Sequence, residues 1–144
     1  ADYHLYALTG REIRLASLED AKRWQIGTVQ QTVGEEYLLT QGFHKGKNLQ
    51  SSVRNELNFD KLQQGRIDLW IMNRLTAYQL VRQAGHAPGK TLQDVLRIDA
   101  LSSQGGYYMA FGAQTPDAMV EQFRKGLQAI VRNGTYDRIQ RKWQ

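Results

Sequence analysis

The chain of 144 residues contains no cysteine and only two prolines. The missing thiol excludes a cysteine nucleophile, a disulfide framework and Cys-ligated zinc. No apolar run approaches the roughly 20 residues needed to cross a bilayer, so membrane insertion is not expected. The first ten residues lack the basic start and apolar core of a signal peptide. A mature exported chain has lost those features too. Histidine is scarce: His4, His44 and His86 stand alone. They lack the spacing of metal ligands and read as surface residues, so neither a metal nor a cofactor is expected. There is no G-x-S-x-G, P-loop or G-x-G-x-x-G sequence. Asp60 and Asp68 form no recognisable acid–base pair, and nothing in the sequence points to an enzyme.

What is present suits an ordinary globular domain. Hydrophobic residues make up 41% and charged residues 23%, close to soluble averages. The length is enough to bury a core without staples. The formal charge of +5 raises nucleic acid as a partner. However, the basic residues alternate with acids, as in Arg11-Glu12-Arg14, and the densest group is Arg138, Arg141 and Lys142. That pattern reads as a solvated helix face, and no nucleic-acid partner is expected.

Along the chain, Tyr3–Leu8 reads as a strand. Ser17-Leu18-Glu19-Asp20 opens a helical turn capped with the help of an acid. Trp24–Val29 is a strand, Gln30-Gln31-Thr32 a tight loop, and Thr32 the N-cap of a helix that ends at Gly42. Leu49–Val53 is a weaker strand, and Asn58 caps a helix over Phe59–Gln64. Arg66–Met72 is nearly all apolar, the mark of a strand covered on both faces. A helix carrying Leu75, Tyr78, Leu80 and Val81 follows, then a loop over His86–Lys90. Leu96–Leu101 and Tyr107–Phe111 read as strands. Alternating strands and helices imply an α/β layer with a mostly parallel sheet.

The last third is helical. Thr115-Pro116-Asp117 is a strong helix start. Met119, Val120, Phe123, Leu127, Ile130 and Val131 recur at helical spacing on one broad face. Asn133-Gly134 stops that helix, and Thr135 caps a final one carrying Ile139 and Trp143.

Four segments together resemble a known family. They are Ser17–Lys22 with the strand Trp24–Val29 and the Gln31-Thr32 turn; Glu36-Tyr37-Leu38; Leu62-Gln63-Gln64-Gly65-Arg66-Ile67-Asp68; and Tyr107–Phe111 leading through Pro116-Asp117 to Asn133-Gly134-Thr135-Tyr136-Asp137-Arg138-Ile139 and Trp143. The chain is similar to family 3 of the bacterial extracellular (periplasmic) solute-binding proteins, of the polar amino-acid-binding type, and the ending over 133–143 is the most specific match.

The resemblance implies a type II periplasmic-binding-protein-like second lobe, a mostly parallel sheet with helices on both faces, plus C-terminal helices that complete a first lobe. It implies a hinge strand and connection over residues 1–15, the second lobe over 16–105, and a second hinge strand with C-terminal helices over 106–144. The opening half of the first lobe is then lacking. The implied role is periplasmic capture of a small polar solute, an amino acid or relative, for an ABC permease. Other readings are a sensory or structural lobe without ligand, and a cyclohexadienyl-dehydratase-like enzyme.

On this lobe the expected ligand contacts are Gln30, Gln31, Thr32, Asn73 and Arg74. The turn ahead of a helix exposes backbone N–H groups at a positive dipole end. Asn73 closes a buried strand, where ligands of open α/β sheets bind. The family usually carries glycine at Gln31 and aspartate at Asn73. With no first-lobe sheet to cover them, the apolar faces of the last helices imply a homodimer.

Overall fold

The computed structural model describes residues 2–102 and 108–143, with only the backbone of Trp143. It contains two compact units, residues 1–106 and 107–144.

The first unit is a three-layer α/β domain around one five-stranded sheet. In chain order it comprises β1 (Tyr3–Leu8), a 3-10 turn (Glu19–Arg23), β2 (Ile26–Val29), α1 (Val33–Thr40), β3 (Leu49–Ser52), α2 (Asn55–Gln63), β4 (Leu69–Asn73), α3 (Arg74–Gln83), the short α4 (Pro88–Thr91), β5 (Leu92–Arg97) and a 3-10 turn (Asp99–Leu101). The strands lie side by side as β3-β2-β4-β1-β5. β2 pairs in parallel with β3 and β4, whereas β1 runs antiparallel to both β4 and β5. Four strands therefore run one way and β1 alone runs against them.

All of β4 is buried, as its apolar run requires of a strand covered on both faces. Its side chains alternate between two cores. Leu69 and Ile71 join Leu5, Ala7, Ile26, Leu38 and Phe43 under α1. Trp70 and Met72 join Tyr6, Phe59, Leu62, Ala77 and Val81 under α2 and α3. Burial of each such side chain contributes up to about 1.5–3 kcal/mol. On β2, Gly27 leaves room for α2: a Cβ there would meet Ile67 Cδ1 at 2.4 Å and Asn58 Oδ1 at 2.9 Å.

Several sequence expectations shift. β5 begins four residues before the expected Leu96–Leu101, and Asp99–Leu101 is a 3-10 turn. Leu96, Ile98 and Leu101 pull the apolar pattern late, but it is residues 92–97 that pair with β1, across a bulge between Leu5 and Tyr6. α2 starts at Asn55, so Asn58 is no cap. It is buried inside the helix, donating to the Thr28 carbonyl at 2.9 Å and accepting from Ser52 Oγ at 2.9 Å. The loop expected at 86–90 holds the helix α4, with Pro88 in its first turn. Asp20 accepts from the amides of Ala16 and Ser17, closing the turn before the 3-10 segment. His4 is buried, not on the surface, because β1 lies between two other strands.

The second unit holds α5 (Asp117–Arg132) and α6 (Thr135–Trp143). Residues 108–112 carry no strand where Tyr107–Phe111 is expected, and Tyr107 lies outside the described residues. Gly134 turns the chain at φ 74°. The cap of α6 comes from Asn133, whose Oδ1 accepts from the Thr135 amide at 3.0 Å. Met119, Phe123, Leu127 and Val131 on α5, with Tyr136 and Ile139 on α6, are exposed.

Candidate functional site

The carboxyl ends of β2, β3 and β4 come out on one edge of the sheet. Val29 pairs with Ser52, and β2 and β4 pair from Ile26–Leu69 onward. The reversed β1 brings its start to the same edge, with Tyr3 opposite Asn73 and His4 opposite Arg97. Four of the five expected contact residues, Gln30, Gln31, Thr32 and Asn73, lie at the ends of the neighbouring strands β2 and β4; Arg74 opens α3.

The β2–α1 turn is built around one carboxylate. Gln31 has φ 58°, the one non-glycine residue at positive φ among those described. This is the left-handed region that favours glycine. Its amide donates to Glu35 Oε1 at 3.4 Å. Glu35 is 3% exposed and also binds Thr28 Oγ1 at 2.9 Å, Lys45 Nζ at 2.8 Å and Ser51 Oγ. Burial pushes its pKa up, but the bonds from Lys45, Ser51, Thr28 and the Gln31 amide outweigh this and hold it below the usual carboxylate range. Thr32 stands at the N-cap of α1, yet its hydroxyl donates back to the Val29 carbonyl at 2.7 Å and caps no amide. The start of α1 is thus left without a side-chain cap. Gln30 is exposed, its amide bound to Ser52 O at 2.9 Å.

Asn73 is 9% exposed and caps α3, its Oδ1 accepting from the Thr76 amide at 2.9 Å. Nδ2 of the same carboxamide lies 3.5 Å from Met72 Sδ. Arg74, the first residue of α3, is ion-paired. Its guanidinium binds Asp94 at 2.7 Å and Asp2 at 3.3 Å. Burial disfavours the Arg74 cation, but Asp94, then Tyr6 and Asp2, outweigh that and raise its pKa. Asp2 also binds Arg97 at 3.0 Å. His4 sits beneath this cluster, 3.4 Å from Arg74 Nη2 and 3.4 Å from Tyr6 OH. Tyr6 is held protonated far above the ordinary range, by burial first and by Asp94 second.

The sequence reading missed Glu35 and this ion cluster. Glu35 reads as an ordinary acid in a first helical turn, and only the packing of α1 on β2 shows its role. Asp68 is structural, accepting from the Gln25 amide at 3.0 Å and pairing with Arg11 at 2.5 Å. No group of side chains suited to a metal occurs among the described residues.

The structure is similar to a histidine kinase sensor domain with similarity to periplasmic binding proteins, with a TM-score of 0.67 and 20% identity over 99% of this chain. It is similar also to the arginine-, lysine-, histidine-binding protein ArtJ of Geobacillus stearothermophilus, with a TM-score of 0.67 and 21% identity. The chain has the periplasmic-binding-protein fold. It spans 58% of the length of each of those two structures. Domain 2 of TmArgBP matches at a TM-score of 0.51 and 16% identity, with 65% of this chain covering 92% of that one. No protein-family model matches the sequence, and no curated protein does. The fold explains the edge: strands that run in parallel deliver their ends, and the helices that follow, to one side of the sheet.

Proposed function

We propose that this chain is a non-enzymatic binding module that captures a small polar solute, an amino acid or a related compound, at the carboxyl edge of its sheet. The observation that carries the reading is the convergence of the uncapped start of α1 with the Asn73 carboxamide on adjacent strand ends. Free amides and a buried amide group grip small polar solutes by hydrogen bonds whose geometry sets specificity. Proteins of the same fold that bind arginine or arginine, lysine and histidine support it. The hinge–lobe–hinge division at residues 15 and 105 belongs to this proposal, as do a periplasmic location, delivery to an ABC permease and self-association through α5 and α6. Among the described residues, no helix is long and apolar enough to cross a membrane.

Titration calorimetry against amino acids and small carboxylates tests the proposal. Binding is expected, weakened at least tenfold by Asn73→Ala. No heat from any compound would overturn it. A sensory role is the second reading, favoured by the likeness to a kinase sensor domain. A neighbouring permease and ATPase gene supports uptake, and a fused or adjacent kinase supports sensing.

A further inference from the structure

We infer that the solute taken at this edge is a carboxylate with an aliphatic body, and that an amino group is not required for its capture. The inference rests on the solute-binding reading and names the ligand class of that site.

Three observations carry it. First, Asn73 offers a hydrogen-bond donor at the end of β4. Its oxygen is bound by the Thr76 amide at 2.9 Å, which fixes the orientation of the carboxamide. The N–H side remains, with only Met72 Sδ at 3.5 Å. That side donates, so it suits a carbonyl, hydroxyl or carboxylate oxygen. Second, the carboxylates that reach the Gln31 turn and Arg74 are taken. Glu35 is bound by Lys45, Thr28 and Ser51. Asp2 and Asp94 are bound by Arg74. The exposed acids Glu36 and Glu56 stand in the first turns of α1 and α2.

Third, the edge is aliphatic. Of the exposed large hydrophobic residues in the first unit, Val33, Val53 and Leu75 are 49%, 66% and 44% exposed. They stand just beyond the ends of β2, β3 and β4 respectively. One such residue on a surface needs no explanation. One at each of three neighbouring strand ends lines the edge with methyl groups, where an apolar ligand body gains burial. Arg54, exposed between Val53 and α2, supplies a cation for the carboxylate. A 2-oxo acid with a branched aliphatic chain meets all of these terms.

The test is NMR titration of the 144-residue protein carrying labelled Val and Leu methyls and labelled amides. The probes are 4-methyl-2-oxopentanoate, leucine, glutamine and arginine. The oxo acid and leucine are expected to move the methyls of Val33, Val53 and Leu75, with affinities within about tenfold of each other. Glutamine and arginine should require at least tenfold higher concentration. Asn73→Asp, which keeps an oxygen for the helix cap, should shift the leucine-to-oxo-acid ratio by at least tenfold toward leucine, because it adds a charge-assisted partner. Amide shifts at Gln31, Thr32 and Asn73 caused by glutamine or arginine at equal or lower concentration than the oxo acid would overturn this inference and leave the solute-binding reading intact. Binding of leucine without the oxo acid would do the same. Unmoved methyls and amides with all four probes would count against both.

Discussion

At the residue scale, Glu35 is the side chain on which the site's geometry depends. Its carboxylate joins β2, β3, the loop at Lys45 and the Gln31 turn. Because its folded pKa lies below the unfolded value of about 4.3, its stabilisation is present above that pH and disappears as pH falls through the folded value. Glu35→Gln is therefore expected to cost about 1.5–3 kcal/mol at pH 7, as loss of bonds to a charged group does. As pH falls through the folded value, the difference from the parent should shrink to a fraction of that. Urea midpoints measured across pH 2–7 check this, and a penalty independent of pH would refute it.

Gln31 gives a second residue-scale expectation. A non-glycine residue at φ 58° carries strain of about 1 kcal/mol or more. Glycine relieves the strain but loses about 0.4–1 kcal/mol through its freer unfolded chain. Gln31→Gly should thus leave stability within about 0.5 kcal/mol. Gln31→Val should lose more than about 1 kcal/mol, since branching at Cβ penalises this conformation most. Thermal melts of the two variants give the comparison.

At the element scale, local signals located most strands and helices, but not their long-range partners. The buried run of β4 and the turn at Gln31-Thr32 were legible because apolar patterning and capping chemistry are local. The position of β5 is not legible locally because its register is set by a bulged pairing with β1, at the far end of the first unit's chain. Asn58 read as a cap because asparagine prefers that position. Its actual partners, Thr28 O and Ser52 Oγ, come from strands the sequence does not place beside it. Asn73, expected as a ligand contact, is also the cap of α3. Its replacement by Ala should cost about 1 kcal/mol of stability, and replacement by Asp almost nothing, because the carboxylate keeps the acceptor for Thr76 N. Denaturation of both variants separates this structural role from the ligand role, which only the ligand titrations report.

At the scale of the whole molecule, the decisive feature is the apolar face of the second unit. Met119, Phe123, Leu127 and Val131 follow one another at helical spacing on α5, each about half exposed at 48–52%, and Ile139 on α6 is 50% exposed. Roughly half of the ~1.5–3 kcal/mol that full burial of each such residue contributes is still to be gained. Five of them together form a patch of the kind that monomers seldom leave in water. A two-fold arrangement buries the same face from both copies and closes on itself, whereas a head-to-tail contact would propagate. We expect the 144-residue protein to be a dimer by light scattering at micromolar concentration. The double change Phe123→Glu and Leu127→Glu, on the exposed side of α5, should return it to a monomer while the circular dichroism of the first unit is unchanged. A parent protein that is already monomeric at that concentration would remove self-association from the proposal and leave the binding edge of the first unit untouched.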